Sequence, residues 1–240
     1  GEFKLGNGEY CYPLTITDAY SRYLLQAKAL KGTGTEGARR GFEEVFREYG
    51  LPRVIRTDNG SPFASTALAR MSSLSVWWMR LGIRVITTRP GMPQDNGRHE
   101  RMHRTMTAEV TRPPERNQKA QQVRLNAFQK DYNQERPHEA LGQQTPAEVY
   151  APSARKYESH PAPVEYPGHF EVRTVTTAGV FRLNGHLIFI SGALAGQEVG
   201  LVEIEDGLWR VYFASVELGV FNALECPKDK TGKVSPMSPV

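Results

Sequence analysis

The chain changes its hydrophobic period early and again late, and the order of those changes limits the folds open to it. Tyr10–Thr17 is aromatic and β-branched and follows the turn signal Gly6-Asn7-Gly8. Arg22–Ala27 reads as the next strand after the turn Asp18-Ala19-Tyr20-Ser21. With the opening residues, this gives three antiparallel strands. The period then becomes helical. Thr35 is a candidate N-cap, and Phe42, Val45, Phe46 and Tyr49 repeat at helical spacing until Gly50-Leu51-Pro52. Val54-Ile55 is a short strand. Thr66 is a candidate cap for a helix with the stripe Leu68, Met71, Leu74, Trp78 and Leu81, closed by Gly82. Ile83–Thr87 is another strand, and a helix is expected from about Gly97 to Val110. Pro113-Pro114 breaks it, and Val123, Phe128 and Tyr132 mark a last long helix. The order βββ-α-β-α-β-α-α predicts a mixed α/β layer arrangement.

A second change falls at 151–167, a stretch with four prolines and no periodicity, read as a linker after a first domain of residues 1–150. Short β segments at close spacing follow within 168–225, with Asn184-Gly185 and Asp206-Gly207 as hairpin turns. They predict a small all-β barrel. Residues 226–240, rich in Pro, Ser and Lys, are expected to be disordered.

Charge divides along the same lines. Residues 1–166 hold 24 Lys+Arg against 18 Asp+Glu, whereas 167–225 hold three Arg against seven acids. A polyanionic partner is therefore expected on the N-terminal part. The acidic segment is poorly suited to phosphate binding. Cys11 and Cys226 match no metal-ligand or redox spacing, and reduced thiols in a cytosolic protein are the expectation. No apolar run approaches the ~20 residues of a membrane span.

Two segments carry the chemistry. Thr57-Asp58-Asn59-Gly60 follows the run Arg53-Val54-Ile55-Arg56, so Asp58 falls at a strand end, where α/β sites form. Glu100 lies one helical turn from Gly97, with Arg98 and Arg101 flanking it. On a helix, Glu100, His103, Arg104 and Thr107 share a face. Neighbouring carboxylates repel unless a cation joins them, and hard oxygens suit Mg²⁺ or Mn²⁺. Two such ions about 3.5–4 Å apart serve phosphodiester displacement. Each signal also has a plainer reading. Asp-Asn-Gly is a turn tripeptide, Glu100 among arginines suits a solvated ion-paired face, and His103 alone suits a surface histidine.

Taken together, residues 1–150 resemble the catalytic core of D-D-E transposases, the bacterial insertion-sequence transposases and retroviral integrases. The resemblance rests on Thr15–Arg22, Thr57–Phe63, Leu81-Gly82-Ile83 leading into Arg89–Gly97, Glu100–Thr105, Tyr132–Leu141 and Thr145–Tyr150. It implies an RNase H-like mixed sheet flanked by helices, with DNA strand transfer as the activity. Asp58 and Glu100 match the second and third metal-binding acids and imply a two-metal Mg²⁺ or Mn²⁺ site. Asn59, Arg98, Arg101, His103 and Arg104 fall on the DNA-facing side of that pattern. The β segments after 168 look like the SH3-like barrel that follows the core in such proteins.

Two departures accompany the resemblance. The 41 residues between Asp58 and Glu100 exceed the usual compact spacing. The first acid of the pattern would fall just upstream of Gly1, so the chain is expected to be a piece of a longer transposase, inactive alone. Transposon ends and target DNA are the expected partners, within a homo-oligomeric transpososome in the bacterial cytoplasm. A non-catalytic, transposase-derived DNA-binding or assembly protein is the alternative. A nuclease of the same fold without strand transfer is a third reading.

Overall fold

The structure, a computed structural model, describes residues 2–57, 71–87, 97–225 and 234–239. Its residues group into two units, Gly1–Leu51 with Thr88–Tyr157 and Pro52–Thr87 with Glu158–Val240.

In the first unit β1 (Phe3–Lys4), β2 (Tyr10–Thr17) and β3 (Leu24–Leu30) form an antiparallel sheet in that order. The β2–β3 register runs from Tyr12 opposite Leu30 to Thr17 opposite Leu24, with an irregularity between Ile16 and Thr17. The turn between them is held by Asp18, whose carboxylate accepts from the backbone N–H and the hydroxyl of Ser21 at 2.7 and 2.6 Å. That is a local turn role for Asp18.

Helix α1 (Thr35–Tyr49) begins at Thr35, but its N-cap is Gly34, with no side-chain cap bond. It buries Phe42, Val45 and Phe46. A Cβ on Gly41 would stand 2.6 Å from Leu14 Cδ2, so the glycine lets helix and sheet approach closely. The helix ends at Gly50, in the left-handed region at φ 80°, where a Cβ would meet the Ser153 carbonyl at 2.5 Å. Residues 151–157, expected to be linker, are bound here. Ser153 donates its N–H to Tyr49 O at 2.9 Å, and Leu51 donates to Arg155 O at 2.7 Å. Tyr150 stacks on Tyr23 at 4.4 Å and meets Tyr49 edge-on at 5.8 Å, while Arg47 lies over Tyr157. Backbone bonds, invisible in a Pro-rich composition, tie this stretch to the core.

Helix α3 (Gly97–Val110) matches the expected bounds, and α4 (Gln118–Gln134) follows. Asn117 caps α4 by accepting from Ala120 N–H at 3.0 Å. Between them Gln121, fully buried, donates to Val110 O and accepts from Glu115 N–H, so one carboxamide closes the corner. Met102, Met106 and Val110 of α3 join Leu24 and Ala27 of β3 and Leu125, Phe128 and Tyr132 of α4 in one apolar cluster. Helix α5 (Pro146–Val149) starts with a Thr145/Glu148 capping box.

Three carboxamides on α4 face β3. Gln122 donates to Ala27 O and accepts from Ala29 N–H. Gln129 accepts from Ala27 N–H and donates to Leu25 O. Asn133 accepts from Leu24 N–H at 2.8 Å and donates to Leu24 O at 3.0 Å. A helix here satisfies the strand edge that another strand would otherwise pair.

In the second unit β4 (Val54–Thr57) and β5 (Arg84–Thr87) form a two-stranded parallel sheet of their own. Between them α2 (Ser73–Arg80) carries a Ser72/Ser75 capping box. The expected cap Thr66 and Leu68 lie outside the described residues. The β domain contains β6 (Glu171–Thr174), β7 (Val180–Leu183), β8 (His186–Phe189), β9 (Glu198–Glu205), β10 (Leu208–Phe213), β11 (Val216–Asn222), β12 (Val234–Pro236) and β13 (Ser238–Pro239). They make a five-stranded sheet, β13-β11-β10-β9-β6, and a three-stranded sheet, β12-β8-β7. Phe181 and Ile188 from one sheet and Val199, Leu201, Val211 and Phe213 from the other share a single core with Met71, Val76 and Met79. Residues 234–239, expected to be disordered, pair with β8 and β11, and Met237 is buried in that core. An apolar residue with a place to go outweighs the polar composition around it.

Replacing Asn133 by Leu leaves a buried donor and acceptor of Leu24 unpaired. We expect a loss of roughly 2–4 kcal/mol, read by urea unfolding of the wild type and variant. A change within error would show that the carboxamides do not hold the strand edge.

Candidate active site

Helix α3 has two faces. Met102, Met106 and Val110 are buried, four residues apart, whereas Glu100, Arg101 and Arg104 are exposed. An exposed carboxylate in the first turn therefore stands beside two guanidinium-bearing positions. Arg98 lies within α3, and its side chain is outside the described residues. Asp58 and Asn59 also lie outside them, directly after the end of β4 at Thr57.

His103 does not stand on the exposed face with Glu100 and Arg104. Its Nε2 is 2.7 Å from Thr15 Oγ1 on β2 and 3.0 Å from His99 Nε2. His99 in turn places Nε2 3.2 Å from Thr15 Oγ1 and Nδ1 3.1 Å from Thr17 Oγ1. The two rings meet edge-on with centroids 4.5 Å apart. Burial, and next the neighbouring His99, push the His103 imidazole down from 6.5 to about 4, so it is neutral at pH 7. Sequence reasoning passed over His99. The available signal was spacing: His99 and His103 are four apart on a helix, and Thr15 and Thr17 are two apart on a strand.

The far end of α3 is fixed by charge. Arg136 binds Glu109 through both terminal nitrogens and donates from Nε to Asp131 at 2.7 Å. These carboxylates hold its pKa above the usual arginine range. Arg124 donates to the Glu109 carbonyl at 2.6 Å.

Glu100 is exposed, which leaves its carboxylate oxygens accessible to a divalent cation. Among the described residues no group of three or more His, Cys, Asp or Glu gathers as a ligand cluster. The donor type at Glu100 fits a hard cation.

Two family profiles, both described as integrase core domain, match the chain over residues 2–93 and 81–146. The chain carries an integrase core. Among curated relatives, the Gag-Pol polyprotein of feline leukemia virus is 32% identical over 111 residues, 46% of this chain and 6% of that protein. The Gag-Pol polyprotein of baboon endogenous virus is 32% identical over 114 residues, again 46% of this chain and 6% of that protein. An uncharacterized protein of Caenorhabditis elegans is 30% identical over 140 residues, 58% of this chain and 10% of its own length. The integrase core thus spans a small part of the relatives it matches. A chain of the simian T-cell lymphotropic virus intasome structure aligns with TM-score 0.51 and 18% identity, covering 90% of this chain and 74% of that one. That likeness shows the fold, an RNase H-like α/β arrangement. The second profile contains α3 entire, Glu100 included; the first contains Asp58.

The depressed His103 gives this integrase core a signed pH dependence. The unfolded chain takes up a proton as pH falls through about 6.5, and the folded chain does so only near 4. Stability is therefore full above that window and declines as pH falls through it. Thermal unfolding followed from pH 7 to 4 should show a flatter decline for His103→Asn than for the wild type. Parallel curves would count against the assignment.

Proposed function

We propose that this protein is the catalytic core of a D-D-E transposase of a bacterial insertion sequence. In this reading it cleaves DNA at transposon ends and joins the freed 3′-OH to target DNA. The observation that carries the proposal is Glu100, exposed in the first turn of α3 and flanked by Arg101 and Arg104, inside a segment matched as integrase core. The preference for a bacterial element over a virus rests on the motif resemblance.

Asp58 and Glu100 are the proposed ligands for Mg²⁺ or Mn²⁺. A bound pair of such ions supplies activation of the attacking oxygen and stabilisation of the leaving one. Glu100 contributes a hard, solvent-open carboxylate. Arg101 and Arg104 offer guanidinium groups that pair with phosphate oxygens and hold the DNA strand in place. Asn59 and Arg98 are proposed on the same DNA-facing side. His103 serves instead within the protein, through Thr15 and His99. The magnesium in the structure of the human T-lymphotropic virus 2 integrase catalytic core belongs to that protein. The β domain, with three Arg against seven acids over 167–225, suits assembly contacts in a homo-oligomeric transpososome better than duplex binding. A DNA-associated location in the bacterial cytoplasm accompanies this reading.

The test is a strand-transfer assay with Mg²⁺ or Mn²⁺ on DNA bearing the element's own ends. Joined product is expected. Asp58→Asn and Glu100→Gln should each lower it by on the order of 100-fold or more, the loss of several kcal/mol of transition-state stabilisation. Tight DNA binding without joining by any version would sink the catalytic reading and favour an assembly protein. Hydrolysed but never joined product would favour a nuclease.

Arg104→Ala tests the phosphate contacts separately. Its DNA affinity should fall for all sequences alike, and the slope of log affinity against log salt should become shallower by about one. An unchanged slope would remove Arg104 from the DNA-contacting set.

A further inference from the structure

Glu100 lies upstream of every apolar anchor in its helix. The first α3 residue in the buried cluster is Met102, and the next are Met106 and Val110. A helical side chain leans back toward the N-terminus, so the position of the Glu100 carboxylate depends on the turn before Met102. Frayed first turns are ordinary in helices, because their N–H groups lack intrahelical partners. Something other than apolar packing must hold this one.

The residues that do so bracket Glu100. His99 precedes it, and His103 follows one turn later. Both reach the Thr15 hydroxyl, at 3.2 and 2.7 Å, and each reaches the other at 3.0 Å. His99 adds Thr17 Oγ1 at 3.1 Å on its second nitrogen. Thr15 and Thr17 belong to β2, whose register on β3 is fixed over six residue pairs. Two side chains of the first turns are thus tied to two hydroxyls on a paired strand. A rotation of the turn that moved Glu100 would break three of these contacts together.

We propose that Thr15, with His99, His103 and Thr17, is a positioning device that sets the Glu100 carboxylate for its metal. The inference rests on the reading of Glu100 as a metal ligand. Thr15 is the hub, since its single hydroxyl serves both imidazoles. None of the four needs to touch the metal or the DNA, so each acts through Glu100 and not as a catalytic residue.

The test separates position from folding. Thr15→Val keeps the β-branched shape and removes the hydroxyl, and Thr15→Ser restores it. Binding of Mn²⁺ is measured directly from the loss of the free-ion electron paramagnetic resonance signal, beside thermal unfolding, with Glu100→Gln as the control. We expect Glu100→Gln to weaken Mn²⁺ binding. We expect Thr15→Val to weaken it about 10-fold, the size of effect seen when groups orienting a ligand are lost. Its unfolding midpoint should stay within a few degrees of wild type, and Thr15→Ser should recover the affinity. Wild-type Mn²⁺ binding by Thr15→Val, with Glu100→Gln impaired, overturns the positioning role alone. So does a Thr15→Val affinity loss that only parallels a fall in melting temperature, or a Thr15→Ser protein no better than Thr15→Val. Unchanged binding in Glu100→Gln overturns the ligand reading and the positioning role with it.

Discussion

The core unit depends on how one strand edge is satisfied. Among the described residues, β3 pairs with β2 on one side only. Its other edge would leave backbone groups of Leu24, Leu25, Ala27 and Ala29 without partners beneath a helix, where water cannot replace them. Gln122, Gln129 and Asn133 meet those groups instead. A carboxamide carries both a donor and an acceptor, so it pairs with a strand edge as another peptide unit would. Their spacing of seven and four residues puts all three on one helix stripe. The bonds are directional, so they fix the register of α4 along β3 where apolar packing alone would tolerate sliding.

That register propagates. With α4 fixed, Leu125, Phe128 and Tyr132 meet Leu24 and Ala27 and leave a groove that α3 fills with Met102, Met106 and Val110. Gln121 ties the end of α3 to the start of α4, and Arg136 clasps Glu109 to Asp131. The lower part of α3 is therefore held by packing and charge, and its first turns by the threonine–histidine contacts. Each device acts on a different length of the helix. Together they let one face remain open, with Glu100, Arg101 and Arg104 in solvent.

Much of this was legible in the sequence. The strand–helix order is legible because turn residues and apolar period agree: Gly50 and Gly82 fall where helices end, and α3 runs between the expected residues. The integrase-core resemblance is legible because its motifs follow one another in a recognisable order across residues that the two profiles match. Other features depend on partners far away in sequence. Gln122 and Gln129 bond to β3, more than 90 residues earlier, and nothing local to the helix announces that strand. His103 reads as a surface histidine until Thr15, 88 residues away, takes its Nε2. Residues 151–157 look like linker because proline and serine carry no period, yet their backbone groups find Tyr49 and Leu51. Composition predicts what a segment does alone, and these segments act through partners.

The same contacts bear on the metal site proposed at Glu100. An imidazole pair at 3.0 Å would ordinarily attract a borderline-soft metal. Here both Nε2 atoms contact the Thr15 hydroxyl and each other, and His99 Nδ1 contacts Thr17, so a metal at those nitrogens would have to displace these contacts. Glu100, one residue on, has no such commitment forced on it by burial and offers hard oxygen to solvent. Holding His103 neutral adds to this division. Burial, and next the neighbouring His99, lower the pKa of His103 to about 4, so the ring carries no charge at neutral pH. In the proposed reading, the histidines serve the Glu100 carboxylate through their contacts with Thr15 and Thr17.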